Sequence, residues 1–137
     1  MNLIDLTPKP THQKRLPKSR DYPTFALANC RSVLGKLDEI EARINVSSID
    51  IFAATETWLT SAVLDSAVTC SGFSCIRKDR AARIGGGVMV LIRHGINYRI
   101  IDTPLDREII AFHLPHYSTL VVVLYHPYWN DMQQHMD

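Results

Sequence analysis

The chain has 137 residues, of which 46% are hydrophobic and 21% are charged, and its formal net charge is +1. This composition is typical of a globular protein and excludes a collagen-like, low-complexity or wholly disordered chain. Three cysteines are too few for the disulfide framework of a small secreted protein, and the apolar runs are far shorter than the roughly 20 residues of a membrane-spanning helix. We therefore expect a soluble, intracellular protein with no membrane partner.

The first 22 residues are predicted to form a disordered basic arm. Residues 1–20 contain five basic residues against a single acidic one, and three prolines interrupt a stretch with almost no apolar pattern after Leu6. Such an arm is either a solvated tail or a weak electrostatic contact for nucleic acid, and the sequence leaves both open. The folded domain is expected at residues 23–137.

A strand, a helix and a second strand are predicted over residues 24–55. Residues 25–28 form one short apolar run and residues 50–55 form another, as in buried strands. Between them a helix is predicted with Ser32 as its N-cap, because apolar residues recur there at helical spacing. Its apolar stripe is Val33, Leu37, Ile40 and Ile44. The whole unit is typical of two parallel strands joined by a right-handed crossover.

Five further strands are predicted downstream, separated by turn-forming residues, at positions 73–78, 87–93, 97–101, 108–114 and 119–125. Within this set, residues 88–92 and 120–124 are apolar at successive positions, so we expect both of these strands to be buried on both faces. One helix cannot cover both faces of such a sheet. The sequence therefore predicts an α/β fold with an incompletely covered sheet, which would leave an apolar face exposed and make the chain fold poorly alone.

Polar side chains stand at the ends of three predicted strands, namely Asn29, Glu56 and Tyr125. If these strands run in the same direction, their carboxyl ends meet at one edge, where an open sheet usually binds ligands. A carboxylate there suits a hard cation, an amide suits a phosphate oxygen or a water, and a phenol stabilises developing negative charge. The alternative is structural: Asn29 caps the helix, Glu56 is an exposed acid and Tyr125 is half-buried.

A basic loop precedes a run of three glycines. Its Arg77, Lys78 and Arg80 either position DNA phosphates or form a plain solvated loop. The segment Gly85-Gly86-Gly87 lacks the Lys-Ser/Thr ending of a phosphate-binding loop, so we expect a tight turn with close backbone packing. The cysteines and histidines show no spacing typical of a metal site.

Seven short motifs occur along the chain in one order: Asn29-Cys30-Arg31-Ser32, Lys36-Leu37-Asp38-Glu39-Ile40, Ile49-Asp50-Ile51, Thr55-Glu56-Thr57-Trp58-Leu59, Arg77-Lys78-Asp79-Arg80, Gly85-Gly86-Gly87-Val88 and Val123-Leu124-Tyr125-His126-Pro127. Together they resemble the amino-terminal half of the endonuclease/exonuclease/phosphatase domain, in the version at the front of non-LTR (LINE, Jockey- or CR1-like) retrotransposon polyproteins. The resemblance covers about residues 23–128. It implies a four-layer α/β sandwich, truncated here to its first half.

The resemblance also implies a reaction, the Mg²⁺-dependent hydrolysis of a DNA phosphodiester by a metal-activated water. The resulting nick would prime reverse transcription, with duplex DNA as the partner and the nucleus as the location. By this resemblance Glu56 is the metal ligand, Asn29 binds the scissile phosphate or orients the nucleophile, and Tyr125 contacts the phosphate in the transition state. The family usually has Arg after the tyrosine, whereas this chain has His126.

The family's other catalytic groups are an Asp-x-Asn pair and an Asp-His pair downstream of the tyrosine, and residues 126–137 match neither. We therefore expect weak metal binding and no appreciable nuclease activity from this chain alone. Its partners would then include the missing carboxyl-terminal half or the rest of a polyprotein. Two alternatives stay open, a non-catalytic remnant or interaction module with the same partial fold and, less favoured, a phosphatase of that fold.

Overall fold

The protein is described here from a computed structural model, which covers residues 1–6, 22–81, 83 and 85–127. Within these residues there are eight strands and one α-helix, in the order β1 (Asn2–Asp5), β2 (Phe25–Asn29), α1 (Leu37–Val46), β3 (Ile51–Thr55), β4 (Phe73–Lys78), β5 (Val88–Arg93), β6 (Arg99–Ile101), β7 (Ile109–Leu114) and β8 (Thr119–Leu124). Three short 3-10 helices occupy Leu34–Lys36, Asp65–Ala67 and Pro115–Tyr117.

The strands form two sheets. The larger has five strands in the order β1-β2-β3-β5-β4, and the smaller has three in the order β6-β7-β8. Only β2 and β3 pair in parallel among the described strands, with Asn29 opposite Thr55, and all other neighbours are antiparallel. The parallel pair flanks α1, so the predicted strand, helix and strand unit is confirmed.

The helix begins later than predicted, because Ser32 is not its N-cap. Ser32 has a left-handed backbone with φ 82°, and its N–H donates to the carbonyl of Glu56 instead of serving the helix. A 3-10 turn at Leu34–Lys36 leads into α1, whose N-cap is Lys36 and has no side-chain cap. Arg31 and Ser32 therefore form the turn that leads from the end of β2 toward the helix.

The core consists of two layers of apolar side chains, one on each face of the five-stranded sheet. On one face Ile40 and Ile44 of α1 pack against apolar side chains of β2, β3 and β5. On the other face the large sheet packs against the small one, with Phe112 of β7 fully buried between them. β5 is buried at Val88, Met89, Val90, Leu91 and Ile92, as predicted for a strand covered on both faces. The layers are thus helix, five-stranded sheet and three-stranded sheet.

The prediction that residues 120–124 are buried on both faces is wrong. Val121 and Val123 point toward the large sheet, but Leu120, Val122 and Leu124 are 58%, 50% and 57% exposed. The reason is that no described residue forms a layer over the outer face of the small sheet. The exposed apolar sheet face expected from the sequence is therefore present.

Part of the predicted amino-terminal arm forms a strand, contrary to expectation. Asn2–Asp5 forms β1, which pairs antiparallel with β2 from Asn2 opposite Asn29 to Asp5 opposite Ala26. The basic and proline-rich part of the predicted arm, residues 7–21, lies outside the described residues. No helix in the described part of the chain is long and apolar enough to cross a membrane.

Candidate functional site

Two of the three predicted site residues meet directly. Glu56 follows β3 and Tyr125 follows β8, so both stand at the carboxyl ends of strands, one in each sheet. The hydroxyl of Tyr125 donates a hydrogen bond to Oε1 of Glu56, although the two residues are 69 positions apart. The packing of the two sheets therefore makes a single polar edge from two distant strand ends.

The third predicted residue, Asn29, lies beside this pair. The β2–β3 register places Asn29 opposite Thr55, the residue before Glu56. Asn29 is exposed and lines an open polar cavity of about 380 Å³ together with Asn2, Arg31 and Lys36. The structure does not use it as a helix cap, because α1 has no side-chain cap.

The Glu56 carboxylate is held on two sides. Its Oε1 accepts from Tyr125, and its Oε2 lies 3.9 Å from Nε of Arg31. The side chain of Glu56 is only 19% exposed, whereas that of Arg31 is 80% exposed, so the ion pair is screened and weak. Glu56 is thus a partly buried carboxylate. One of its oxygens is hydrogen-bonded to Tyr125, and the other faces the exposed guanidinium of Arg31.

Backbone strain concentrates at this edge. Four non-glycine residues here have left-handed φ angles of 48°, 82°, 53° and 55°, namely Arg31, Ser32, Glu56 and Trp58. Each such residue costs about 1–2 kcal/mol and persists only where its surroundings impose it, which happens most often at functional sites. The strain marks the ends of β2 and β3 as the specialised edge of the sheet.

The glycine run packs closely against the strained segment, in keeping with the close backbone packing predicted there. The N–H of Trp58 donates to the carbonyl of Gly86 at 2.9 Å, and that of Thr57 donates to Gly87 at 3.3 Å. A Cβ on Gly87 would lie 2.4 Å from Oγ1 of the fully buried Thr57. Close backbone packing is therefore the reason for glycine at this position.

The hydroxyl of Tyr125 keeps its proton and acts as a hydrogen-bond donor. Burial, together with the hydrogen bond and the negative charge of Glu56, raises the pKa of Tyr125 to about 12. The nearby positive charge of Arg80 acts in the opposite direction but is outweighed. Tyr125 therefore stays protonated at neutral pH.

Arg77 is not available to DNA, contrary to the prediction for the basic loop. Its Nε and Nη2 bind the Asp79 carboxylate at 3.1 and 2.7 Å, and its other donors bind the carbonyls of Thr60 and Val63 and the carboxylate of Asp65. Arg77 is only 11% exposed. A guanidinium has five N–H donors, and these contacts use all of them, so Arg77 is a structural residue.

The other two basic residues separate from each other. Nζ of Lys78 binds Oγ1 of Thr103 and the carbonyl of Pro104. Arg80 instead lies at the site, since its guanidinium carbon is 5.9 Å from the centre of the Tyr125 ring. Of these two residues, Arg80 is therefore the one that lies beside Tyr125, and phosphate binding stays a prediction.

Glu108, the ion-pair partner of Arg80, is not among the site residues predicted from the sequence. Nε and Nη2 of Arg80 lie 3.2 and 2.9 Å from the two carboxylate oxygens. The hairpin of β7 and β8 pairs Ile109 with Leu124, which places Glu108 across from Tyr125. The signal that could have identified Glu108 is the register of the β7–β8 hairpin. This register aligns Glu108, which precedes β7, with Tyr125, which follows β8.

The oxygen atoms at this edge suit a hard cation only in part. Mg²⁺ takes one or two protein carboxylates and completes its shell with water and phosphate oxygens. Glu56 supplies one such carboxylate, and Asn29 ends the adjacent strand, opposite the residue before Glu56. The described residues contain no group of three or more His, Cys, Asp or Glu side chains that could hold a metal by themselves.

Comparisons with known proteins give one kind of match. No protein-family model matches the chain, and no curated protein matches it either. Among solved structures, the AP endonuclease LMAP from Leishmania major has a TM-score of 0.61 at 18% identity, covering 74% of this chain and 39% of that chain. The 3′ phosphatase NExo from Neisseria, bound to a product DNA hairpin, has a TM-score of 0.57 at 18% identity and covers 76% of this chain and 41% of that chain.

A third structure, an AP endonuclease from Archaeoglobus fulgidus, has a TM-score of 0.55 at 17% identity and covers 74% of this chain and 40% of that chain. These likenesses show the fold, which is the α/β sandwich of the endonuclease/exonuclease/phosphatase type, as predicted. The chain spans about two fifths of the length of these structures. Its 137 residues fit a partial domain of this fold.

Proposed function

We propose that residues 22–127 are part of a metal-dependent phosphodiesterase domain that acts on DNA, of the type found in non-LTR retrotransposon polyproteins. The observation that carries the proposal is the hydrogen bond between Tyr125 and Glu56, at the edge where two parallel strands end. The order of seven sequence motifs supports the retrotransposon assignment. Solved structures with this fold include AP endonucleases and a phosphatase bound to a DNA product, which supports DNA as the substrate class.

The residues at this edge have distinct roles in the proposed site. Glu56 and the Asn29 amide would hold Mg²⁺, which supplies an activated water and neutralises charge on the phosphate. The Tyr125 hydroxyl has one proton, which it donates to Glu56 in this structure, and with Glu56 on a metal it would donate that proton to a phosphate oxygen where negative charge develops. Arg80 adds positive potential beside the tyrosine ring.

For this chain alone we propose no appreciable hydrolysis. The described residues place two carboxylates at the edge, Glu56 and Glu108, and the second is already engaged by Arg80 and by the N–H of Gly87. A general base and further metal ligands would come from the rest of a longer polypeptide, which would be the main protein partner. A nuclear location would follow from this function.

Metal binding by the isolated chain tests the proposal. We expect Mn²⁺, used in place of Mg²⁺, to broaden the NMR signals of Glu56 and Asn29 at lower concentration than those elsewhere. The broadening should disappear in Glu56→Gln, because a neutral amide is a much poorer ligand for a hard cation. The matched control is Glu39→Gln, which removes an exposed carboxylate on α1.

Broadening at Asn29 that persists unchanged in Glu56→Gln would contradict the metal site and favour the non-catalytic interpretation. The same samples report on catalysis through the relaxation of supercoiled plasmid with Mg²⁺. Nicking by the chain that is lost in Glu56→Ala would contradict the proposed inactivity. Release of inorganic phosphate without nicking would favour the phosphatase alternative.

A further inference from the structure

We propose that Glu108 is a positioning residue for this site, holding Tyr125 and the Glu56 segment at hydrogen-bond distance through Arg80 and the glycine run. The inference rests on the proposed function for its chemical consequence. The positioning role itself rests on contacts between described residues and does not depend on the proposed function.

The first contact is a two-pronged ion pair. Both carboxylate oxygens of Glu108 accept from Arg80, at 3.2 and 2.9 Å, and Oε1 also accepts the backbone N–H of Gly87. The side chains of Arg80 and Glu108 are only 16% and 15% exposed. Two-pronged pairs of this kind have a fixed geometry, and each charge needs the other because both are largely removed from water.

Glu108 and Arg80 each contact Tyr125, the first through its backbone and the second through its side chain. The N–H of Tyr125 donates to the backbone carbonyl of Glu108 at 3.0 Å, which continues the β7–β8 hairpin by one residue. Arg80 lies against the tyrosine ring, with its guanidinium carbon 5.9 Å from the ring centre. The ring of Tyr125 therefore takes its position from Arg80, whereas its backbone is held by the hairpin.

The same carboxylate is attached to the Glu56 side of the site. It binds the N–H of Gly87, and the carbonyl of Gly87 accepts the N–H of Thr57, the residue directly after Glu56. The carbonyl of Gly86 accepts the N–H of Trp58. Glu108 is thus linked by hydrogen bonds to the segment that holds Glu56 in its left-handed conformation.

The space around Gly86 gives independent support. A Cβ on Gly86 would lie 2.1 Å from Oε1 of Glu108 and 2.4 Å from the guanidinium of Arg80. Any side chain at Gly86 would therefore push the ion pair out of place. Glycine at this position makes room for the pair, whereas glycine at Gly87 makes room for Thr57.

The chemical consequence concerns the distance between the two groups of the site. Tyr125 and Glu56 come from different sheets, and their own hydrogen bond is the direct side-chain contact between them. With Glu108 neutralised, Arg80 loses its partner and turns toward solvent, and the Tyr125 ring loses its support. The hydroxyl then leaves Glu56, and the metal-binding and phosphate-binding groups separate.

The test uses the chain with isotope-labelled tyrosine and follows the ring Cζ signal of Tyr125, assigned by its absence in Tyr125→Phe. Glu108→Gln keeps the size of the side chain and an acceptor for Gly87 but removes the charge. We expect it to move the Tyr125 signal toward its position in Glu56→Gln, where the hydrogen bond to a carboxylate is gone. The matched control, Glu39→Gln, removes the carboxylate of an exposed ion pair and should leave the signal in place.

A second measurement separates positioning from general destabilisation. At a temperature where all variants are folded, Glu108→Gln should weaken Mn²⁺ binding at Glu56 about tenfold, as for other residues that orient a metal ligand. Arg80→Gln should have the same effects, and Arg80→Lys, which keeps the charge, should recover part of them. If Glu108→Gln does not fold, Arg80→Gln decides the question.

An unmoved Tyr125 signal in folded Glu108→Gln or Arg80→Gln would overturn the inference. If the unmodified chain binds no Mn²⁺ at Glu56 but the tyrosine signal moves as expected, the positioning stands and the proposed function fails. If Mn²⁺ binds and the signal does not move, only the positioning fails.

Discussion

At the scale of single residues, the site depends on a backbone conformation that its side chains do not favour. Glu56 and Trp58 both have left-handed backbones, which only glycine adopts without cost. The cost is offset because Thr57 between them is fully buried and its N–H is bonded to Gly87. The position of the Glu56 carboxylate therefore depends on a glycine far along the chain.

Substitution of Gly87 by alanine tests this dependence. We expect Gly87→Ala to destabilise the chain by more than about 2 kcal/mol, because the new methyl group meets Oγ1 of Thr57 at 2.4 Å and the φ of +89° is unfavourable for alanine. Two controls separate the causes. Gly95→Ala has a φ of +96° but open space, and Gly35→Ala has open space and no left-handed φ.

Urea denaturation of the three variants checks the expectation. Gly95→Ala should cost about 1 kcal/mol and Gly35→Ala should be neutral or stabilising by up to about 1 kcal/mol. Equal losses for Gly87→Ala and Gly95→Ala would show that the contact with Thr57 contributes nothing beyond the backbone conformation.

At the scale of secondary-structure elements, a side chain of β4 orders the long loop between β3 and β4. The loop between β3 and β4 has only a short 3-10 helix at Asp65–Ala67. Arg77 in β4 binds the carbonyls of Thr60 and Val63 in this loop. These carbonyls have a charged donor as partner, so the loop is ordered by a side chain and not by a regular element.

Removal of this side chain should loosen the loop. We expect Arg77→Ala to lower the free energy of unfolding by roughly 2–3 kcal/mol, because two carbonyls and the partly buried Asp79 lose their partner. Arg77→Lys should recover little of this, since an ammonium cannot reproduce the planar fork of donors. Urea denaturation and amide exchange of residues 60–65 measure the effect.

The matched control is Arg43→Ala on α1, where arginine pairs with Glu39 at 3.3 Å and both side chains are close to half exposed. This exposed pair should contribute less than about 0.5 kcal/mol. Faster exchange throughout the chain in Arg77→Ala, instead of in the loop first, would contradict a local role for Arg77.

At the scale of the whole molecule, the layers are unevenly covered. The large sheet is covered on one face by α1 and on the other by the small sheet. The outer face of the small sheet carries Leu120, Val122 and Leu124 without a described layer above them. An apolar face of this kind is either an interface or a cause of aggregation.

Substitution of the outward residues of β8 tests whether this face is accessible. The unmodified chain should bind a hydrophobic dye, and replacing Leu120, Val122 and Leu124 together by threonine should reduce dye fluorescence by at least half, judged from the apolar surface removed. Stability should change little, because threonine suits an exposed strand position. The control is Val123→Thr on the inward face, where the side chain is 8% exposed.

Val123→Thr should destabilise the chain by about 1–2 kcal/mol without reducing dye binding, because it puts a hydroxyl into the core. Absence of dye binding by the unmodified chain, together with a sharp cooperative melt, would show that the face is covered.

The elements of this fold were largely predictable because their patterns are local. β4 has the predicted bounds, β2 extends one residue beyond its apolar run, and the helical stripe of Ile40 and Ile44 faces the core as its spacing indicates. The strand-end positions of Asn29, Glu56 and Tyr125 also follow from strand bounds alone. Their roles in binding or catalysis stay predictions.

The predictions that failed concern relations between distant parts of the chain. Ser32 is typical of a helix N-cap, but its backbone is needed to reach Glu56, so the helix begins later. β1 has no strong pattern of its own and is ordered by pairing with β2. Arg77 looked like a free cation because its carbonyl partners are 14 and 17 positions away.

By itself, then, the sequence determined every described strand but β1, the body of the helix and the parallel pair, since hydrophobic periodicity and turn residues act over a few residues. The resemblance of its motifs gave the fold type. Only the tertiary structure decided that Tyr125 binds Glu56, that Glu108 holds Arg80, and that β8 is covered on one face. These contacts join residues up to 69 positions apart, and they form only when the two sheets pack. The residue types at this edge were therefore readable from the sequence, whereas the geometry that makes them a site was not.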